Sequence, residues 1–263
     1  SRFAKGEPWG TFPSLALGWR ISDEDFMVNS NVFNDLKLRA EWGTVGNNAI
    51  PANQSQTFLN INGDGSVTVG GVGNPNLTWE TTETYNVGLD FGLFNSRVTG
   101  SIDWYKKTTK DLFLNVLVPG ITVDNTSLVN VGEVENTGFE LVLNAGVIEA
   151  QNDGDFNFNL GFNMAYNKNV VNSLSGNNTN TEFIGYGSFF GPGFVGDTGF
   201  RIEPGQAIHS FYGPVFAGLA ADGQEQYFTE DGGITLIESE AEQKFLGNAI
   251  PKITYAFTPT FSY

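Results

Sequence analysis

Few side chains in this sequence are arranged for covalent chemistry. His209 is the single histidine and cysteine is absent, so neither a multi-histidine nor a thiolate metal site can be assembled. His209 stands in Ala207-Ile208-His209-Ser210-Phe211-Tyr212-Gly213, where an ordinary loop residue is the simpler reading than a ligand. Gly70-Gly71-Val72-Gly73 lacks the strand-to-helix context that a phosphate-cradling loop requires, so flexible loop glycine is the better account. Asn60, Asn62, Asp64 and Gly65 resemble the start of a calcium loop, but the twelfth position is Gly71, which has no bidentate carboxylate. Turn chemistry explains the same residues. Glu230-Asp231-Gly232-Gly233, with Glu238, Glu240 and Glu242 after it, could recruit a cation, yet a solvated acidic loop suffices. Glu133 and Glu135 share a strand face and could do acid–base work, without a recognisable pocket to do it in. The expectation is a protein that is not an enzyme and carries no cofactor and no metal.

The more regular polar pattern is of another kind. Lys37, Arg39 and Glu41 alternate with Leu36, Leu38, Ala40 and Trp42; Asp90 and Asp103 alternate with apolar neighbours, and so do Glu140 and the ladder Asn157, Asn159 and Asn163. A period of two places such residues on one face of a β-strand and their apolar neighbours on the other. The plainest case is the hairpin from Thr84 to Tyr105. Tyr85, Val87, Leu89, Phe91 and Leu93 lead into the turn Phe94-Asn95-Ser96-Arg97, and Val98, Gly100, Ile102 and Trp104 lead out of it. Similar alternation predicts strands over about 11–21, 35–42, 139–147, 156–166 and 253–262, seven in all. A short helical turn is expected near 22–27, and short β-like pieces near 208–218 and 233–237.

Composition bounds what the apolar face can meet. Charged residues are 16% of the 263, against roughly 25% in soluble proteins, while glycine (33) and phenylalanine (23) are abundant. Lipid-facing side chains diluted by lumen-facing polar ones would give such a composition, and so would a secreted β-sandwich. A net charge of −16 argues against nucleic acid as a partner, since phosphate would be repelled. No run of about 18 apolar residues is present, so no transmembrane helix is expected. Ser1 to Gly6 has no apolar signal region, which fits a mature chain or a fragment.

Connection lengths separate barrel from sandwich. Apart from the first, every second connection is short, at 94–97 and 149–155, and the others are long, at 44–79, 112–131 and 168–248. Transmembrane barrels have short periplasmic turns and longer outside loops, so the fold class expected is all-β, an antiparallel transmembrane β-barrel. On this reading the turns, with 22–33, lie in the periplasm. Trp19, Trp42, Trp79 and Trp104 then form an interfacial girdle rather than sugar-stacking sites. Phe183, Tyr186, Phe189, Phe190, Phe194 and Phe200 crowd an outside loop, either as its internal packing or as a surface for ligand or partner. Seven strands cannot close alone, because bacterial single-chain barrels have an even count and unpaired edges in lipid cost several kcal/mol per group. Either a strand hides in a loop or the chain is part of a larger barrel.

Several stretches resemble the SusC/RagA family of TonB-dependent outer-membrane transporters. They include Trp9-Gly10-Thr11-Phe12-Pro13-Ser14, Asn34-Asp35-Leu36-Lys37-Leu38-Arg39-Ala40, Asn74-Pro75-Asn76-Leu77-Thr78-Trp79-Glu80 and Tyr85-Asn86-Val87-Gly88-Leu89-Asp90-Phe91. Asn130-Val131-Gly132, Glu135-Asn136-Thr137-Gly138, Phe211-Tyr212-Gly213 and Gly247-Asn248 follow in the same order. Glu230-Asp231-Gly232-Gly233 departs from the family's usual Asn-Gly-Asp-Gly. The resemblance implies that residues 1–263 are an internal fragment of a 22-stranded barrel, whose plug and TonB box lie outside this segment. It implies a SusD-like lid lipoprotein and TonB–ExbBD as partners, outer-membrane lipid around the wall, and import of an oligosaccharide or peptide in a Bacteroidetes-like outer membrane. Lys37, Arg39, Glu41, Asp90, Asp103, Glu140, Asn157, Asn159 and Asn163 would face the lumen. A siderophore or cobalamin receptor, or a secreted adhesin or glycan-binding module, are the alternatives.

Overall fold

A computed structural model of the chain describes residue 3 and residues 9–61, 63–117, 126–150, 155–176, 179–180, 182–191 and 194–263. It divides into two units: Ser1–Lys168, Ser175–Thr179 and Lys252–Tyr263 form the first, and Asn169–Leu174 with Asn180–Pro251 the second.

The first unit is built on an antiparallel sheet of seven strands: β1 (Ser14–Arg20), β2 (Phe33–Asn47), β3 (Glu80–Leu93), β4 (Val98–Lys110), β5 (Glu133–Ile148), β6 (Asn157–Ser173, its end in the second unit) and β7 (Ile253–Ser262). They are the seven strands that alternation predicts, and their order in the sheet is their order in the chain. The register keeps like with like: Leu17 pairs with Ala40, Ala40 with Val87, Val87 with Trp104 and Trp104 with Phe139. Because the period is two, this single register carries the apolar set of every strand onto one face.

That apolar face is not a core. Leu17 is 65% exposed and Phe257 63%, and Val87, Ile102 and Trp104 are also exposed. Phe91, Phe158 and Leu160, which a sandwich would bury under a second sheet, are only half-buried. Apolar side chains left exposed or half-buried along one face of a seven-stranded sheet would aggregate in water and suit hydrocarbon.

The turn between β3 and β4 holds Phe94, Asn95 and Ser96 at φ of 53°, 57° and 63°, a left-handed run that needs outside support. Asn34 supplies it, donating to Asn95 Oδ1 and accepting from the Ser96 N–H, each at 3.2 Å. Arg97 then donates to the carbonyls of Gly146 and Val147 at 2.8 Å, tying this turn to the end of β5. The turn expected at 149–155 falls partly outside the described residues.

The long connections are more structured than alternation suggests. Strands β2 to β6 run past the expected ends, and two hairpins stand beyond them, Phe58–Ile61 with Val67–Gly71 and Phe113–Leu117 with Thr126–Asn130. A one-turn helix at Ile21–Asp23 occupies part of the helical turn expected near 22–27. In the second unit, Ile184–Gly191, Phe194–Ile202, Ser210–Pro214 and Gln243–Asn248 form a four-stranded sheet, and Phe216–Leu219, Glu225–Phe228 and Ile234–Thr235 a three-stranded one. Stretch 168–248 was expected to be loop apart from short pieces. Its strands escape a periodicity reading because they are two to nine residues long and several are bulged.

The buried apolar cluster of the first unit lies in the long connections rather than under the sheet. It holds Phe3, Ile50, Leu77 and Leu128, with Trp79 and Phe113 against it, and Leu77 is fully buried. Trp79 is thus a packing residue whose ring meets Phe3 and Phe12 at 5.5 and 5.3 Å, not part of a girdle.

Candidate functional site

The polar face of the seven-stranded sheet carries the charged residues that alternation singles out. Lys37 stands opposite Asp90, Glu41 opposite Asn86, and Asp103 opposite Glu140. Arg39 is the hub. Its Nε and Nη2 donate to the two oxygens of Asp90 at 2.8 and 3.0 Å, and Nη2 also reaches Asp103 Oδ1 at 2.8 Å. To get there from β2, the guanidinium must cross β3, and Gly88 leaves the path open. A Cβ at Gly88 would lie 2.4 Å from Asp103 Oδ1 and 2.6 Å from Arg39 Nη2. The bridge and the glycine are therefore one device. Gly88→Ala is expected to cost about 1–3 kcal/mol by loosening the charge-assisted bonds. In an Arg39→Ala background that cost should shrink, as thermal unfolding of the four proteins of the cycle would measure.

Towards the turns, the same face opens into a recess of about 420 Å³. Thr99, Asn144, Asn159, Asn163, Thr258 and Thr260 line it, with Arg97 and Glu149 at its rim. Of the asparagine ladder, Asn159 and Asn163 meet here, and Asn157 pairs with Ser262 nearer the strand end. Alternation at the partner strands could have named Asn144, Thr258 and Thr260 as well. Tyr105, whose hydroxyl donates to Asn167 Oδ1 at 3.0 Å, also belongs to this face and was hidden by its aromatic character. The wall is thus charged across β2 to β5 and neutral, rich in amides and hydroxyls, across β5 to β7. Such a surface holds water and hydrogen-bonds solutes.

In the second unit, two of the expected aromatics, Tyr186 and Phe200, pack on each other. Tyr186 stacks on Phe200 at 5.3 Å, and Phe200 meets Phe211 in a tilted contact at 4.8 Å, across three neighbouring strands. The Tyr186 hydroxyl meets His209 Nδ1, and burial raises the phenol's pKa. Phe183 differs: it is 46% exposed, with the Arg201 guanidinium 3.7 Å from its ring centroid and Tyr212 near the same cation. Phe189, Phe190 and Phe194 lie on strands of this sheet, and their side chains are outside the described residues. In the acidic loop, Asp231 accepts from the Thr229 hydroxyl and the Gly233 N–H, which holds its carboxyl below the usual range. Tyr227 donates to Glu225, and its phenol is pushed up to about 12. Among the described residues no three histidine, cysteine or carboxylate side chains converge on a metal position.

A sequence model described as TonB dependent receptor-like, beta-barrel matches residues 1–233. The chain belongs to that family. Among curated relatives it is 38% identical to the TonB-dependent receptor SusC of Bacteroides thetaiotaomicron over 225 residues, covering 81% of this chain and 22% of SusC. It is 32% identical to the TonB-dependent receptor P26 of Formosa agariphila, covering all of this chain and 28% of the relative. The fold superposes on the RagAB peptide transporter with a TM-score of 0.85 and 26% identity, covering all of this chain and 29% of that one. The chain thus spans between a fifth and a third of its relatives' length. Membership implies an outer-membrane location, and the family is one of receptors and transporters rather than enzymes.

Proposed function

We propose that this chain is a section of the wall of a SusC-like, TonB-dependent transporter that imports an oligomeric nutrient, glycan or peptide, across an outer membrane. The observation that carries the reading is the division of one sheet into a largely apolar face, exposed or half-buried, and a largely polar one. Lys37, Arg39, Glu41, Asp90, Asp103, Glu140, Asn157, Asn159 and Asn163 then face a water-filled lumen. The hairpins beyond the long-connection ends face outside, where a SusD-like lipoprotein would close over the lumen. β1 and β7 are the edges of the sheet, and in lipid both must be paired, as further strands of a larger barrel would do. A barrel that wide leaks unless plugged, so opening requires work, which TonB–ExbBD would deliver through the plug. RagAB is a peptide transporter, which makes a peptide as reasonable a cargo as a glycan.

The test uses the full-length transporter purified in detergent from its native host. A surface lipoprotein is expected to co-purify, and a tonB deletion to abolish uptake of oligomers while leaving monomer uptake intact. Isolation without any lipoprotein, together with binding of an iron chelate or a cobalamin, would replace this reading with the siderophore-type one.

A further inference from the structure

The three-stranded sheet of the second unit leaves apolar side chains exposed on both of its faces. On one, Phe216 stands opposite Tyr227 and Leu219 opposite Glu225, and Phe216 and Leu219 are 56% and 63% exposed. On the other, Phe228 stands opposite Ile234. Both are exposed, as are Leu236 and Ile237 in the segment that follows. The charge around them is of one sign. Asp222, Glu225, Glu230, Asp231, Glu238 and Glu240 are all exposed, and no Lys, Arg or His lies between residues 215 and 243. The next cation along the chain, Lys244, is held by Glu242 at 2.6 Å. Two of the carboxylates reach the Phe216 face: Glu225 accepts from the Tyr227 hydroxyl. Glu240 accepts from the Thr235 hydroxyl at 2.8 Å, and Thr235 stands opposite Tyr227.

We propose that this sheet is a docking element for a protein whose apolar patch is bordered by lysine and arginine, and that this protein is the lid lipoprotein. The inference rests on the reading above for the partner's identity, and adds the surface and the chemistry of its counterpart. Exposed apolar patches rimmed by polar residues mark protein contacts, and an interface buries an apolar centre within a polar rim. Charge then decides among occupants. A second copy of the chain would set the same carboxylates against one another, and a phosphate-bearing lipid surface would be repelled by them. A short glycan or peptide would cover one face of the sheet and leave the other wet, and sugar hydroxyls find no partner in Leu219, Ile234 or Ile237. A protein groove covers both faces, and cations on its rim answer carboxylates that have none of their own. Rim charges act chiefly on the rate of association and its salt dependence, which suits a lid that must open and close.

The experiment takes the full-length transporter from a strain lacking the lipoprotein, purifies it in detergent and titrates it with the lipoprotein. Affinity is expected to fall at least about tenfold, roughly 1.4 kcal/mol, in Phe216→Ser and again in Glu238→Lys, and to fall with added salt. Glu182→Lys, an exposed carboxylate of the same unit outside this sheet, should leave it unchanged. Exchanging a lysine of the lipoprotein's facing rim for glutamate should restore binding to Glu238→Lys, a rescue that a folding defect would not show. Unchanged affinity in both variants overturns the surface and leaves the transporter reading standing. Loss of the heat-modifiable barrel in Glu238→Lys means the sheet packs against the transporter itself, and loss of oligomer uptake with lipoprotein binding intact makes it a cargo contact; either overturns the docking role. A wild-type transporter that binds no lipoprotein overturns the lid reading along with it.

Discussion

Leu89→Arg is expected to destabilise the inserted barrel by about 2–4 kcal/mol, the penalty for a cation on a lipid face near the bilayer midplane. The position follows from the register. Leu89 pairs with Leu38 on one side and Ile102 on the other, and it lies four residues from Tyr85 and four from Leu93, the ends of the apolar run on β3. At about 3.3 Å per residue that run spans some 26 Å along a tilted strand, so its middle has no interface within easy reach of a guanidinium. Ser101→Arg is the matched control, one residue from Ile102 and therefore on the opposite face. A charged side chain there enters water and should leave assembly unchanged. The measurement is the fraction of full-length protein that reaches the heat-modifiable, protease-resistant form in the outer membrane. Wild-type assembly of Leu89→Arg would mean the apolar face meets something other than lipid.

The wall was legible in the sequence because lipid and water impose a strict alternation on long strands. Leu36 to Trp42 and Tyr85 to Leu93 could be assigned to faces from their spacing, and the pairing of strands in chain order follows from hairpin topology. The interior of the polar face was only half legible. Arg39, Asp90 and Asp103 were nameable singly, but their bonding depends on Gly88, whose significance is that a Cβ is missing from the guanidinium's path. No spacing rule reports such an absence. The second unit was the least legible. Strands such as Phe216–Leu219 and Glu225–Phe228 are four residues long, too short for a period of two to stand out from chance. Trp79 shows a different failure: a tryptophan at a strand end fits both a girdle and a core, and only its neighbours Phe3 and Phe12 decide between them.

The family-like stretches around Asn74 and Asn130 have a physical cause that leads to the second large effect. The Asn130 side chain copies a peptide group: its Oδ1 accepts from the Thr78 N–H at 2.8 Å, and its Nδ2 donates to the Thr78 carbonyl at 3.0 Å and to that of Asp111 at 2.9 Å. Asn74 answers from the other side, its Nδ2 donating to the Leu128 carbonyl at 3.1 Å. These bonds close two long connections around Leu77, which is fully buried with Ile50 and Leu128. Leu77→Ala should therefore cost the cluster about 2–5 kcal/mol, as lost burial plus a cavity. Asn130→Ala should cost about 1–3 kcal/mol by leaving the Thr78 groups without partners. Both losses fall on a local unit that can open while the sheet stays paired. The expected readout is limited proteolysis of intact cells, with new cleavage within 48–79 and 111–131 and an unchanged amount of barrel. Leu59→Ala, at an exposed position of the same connection, should give no new cleavage. If Leu77→Ala instead abolished barrel assembly without exposing these connections, the cluster would be part of the barrel's own folding core. If it changed nothing, the connections would be held by contacts other than these. If a lid lipoprotein rests on these hairpins, as the proposed function has it, the same variant should also weaken its co-purification without altering membrane insertion.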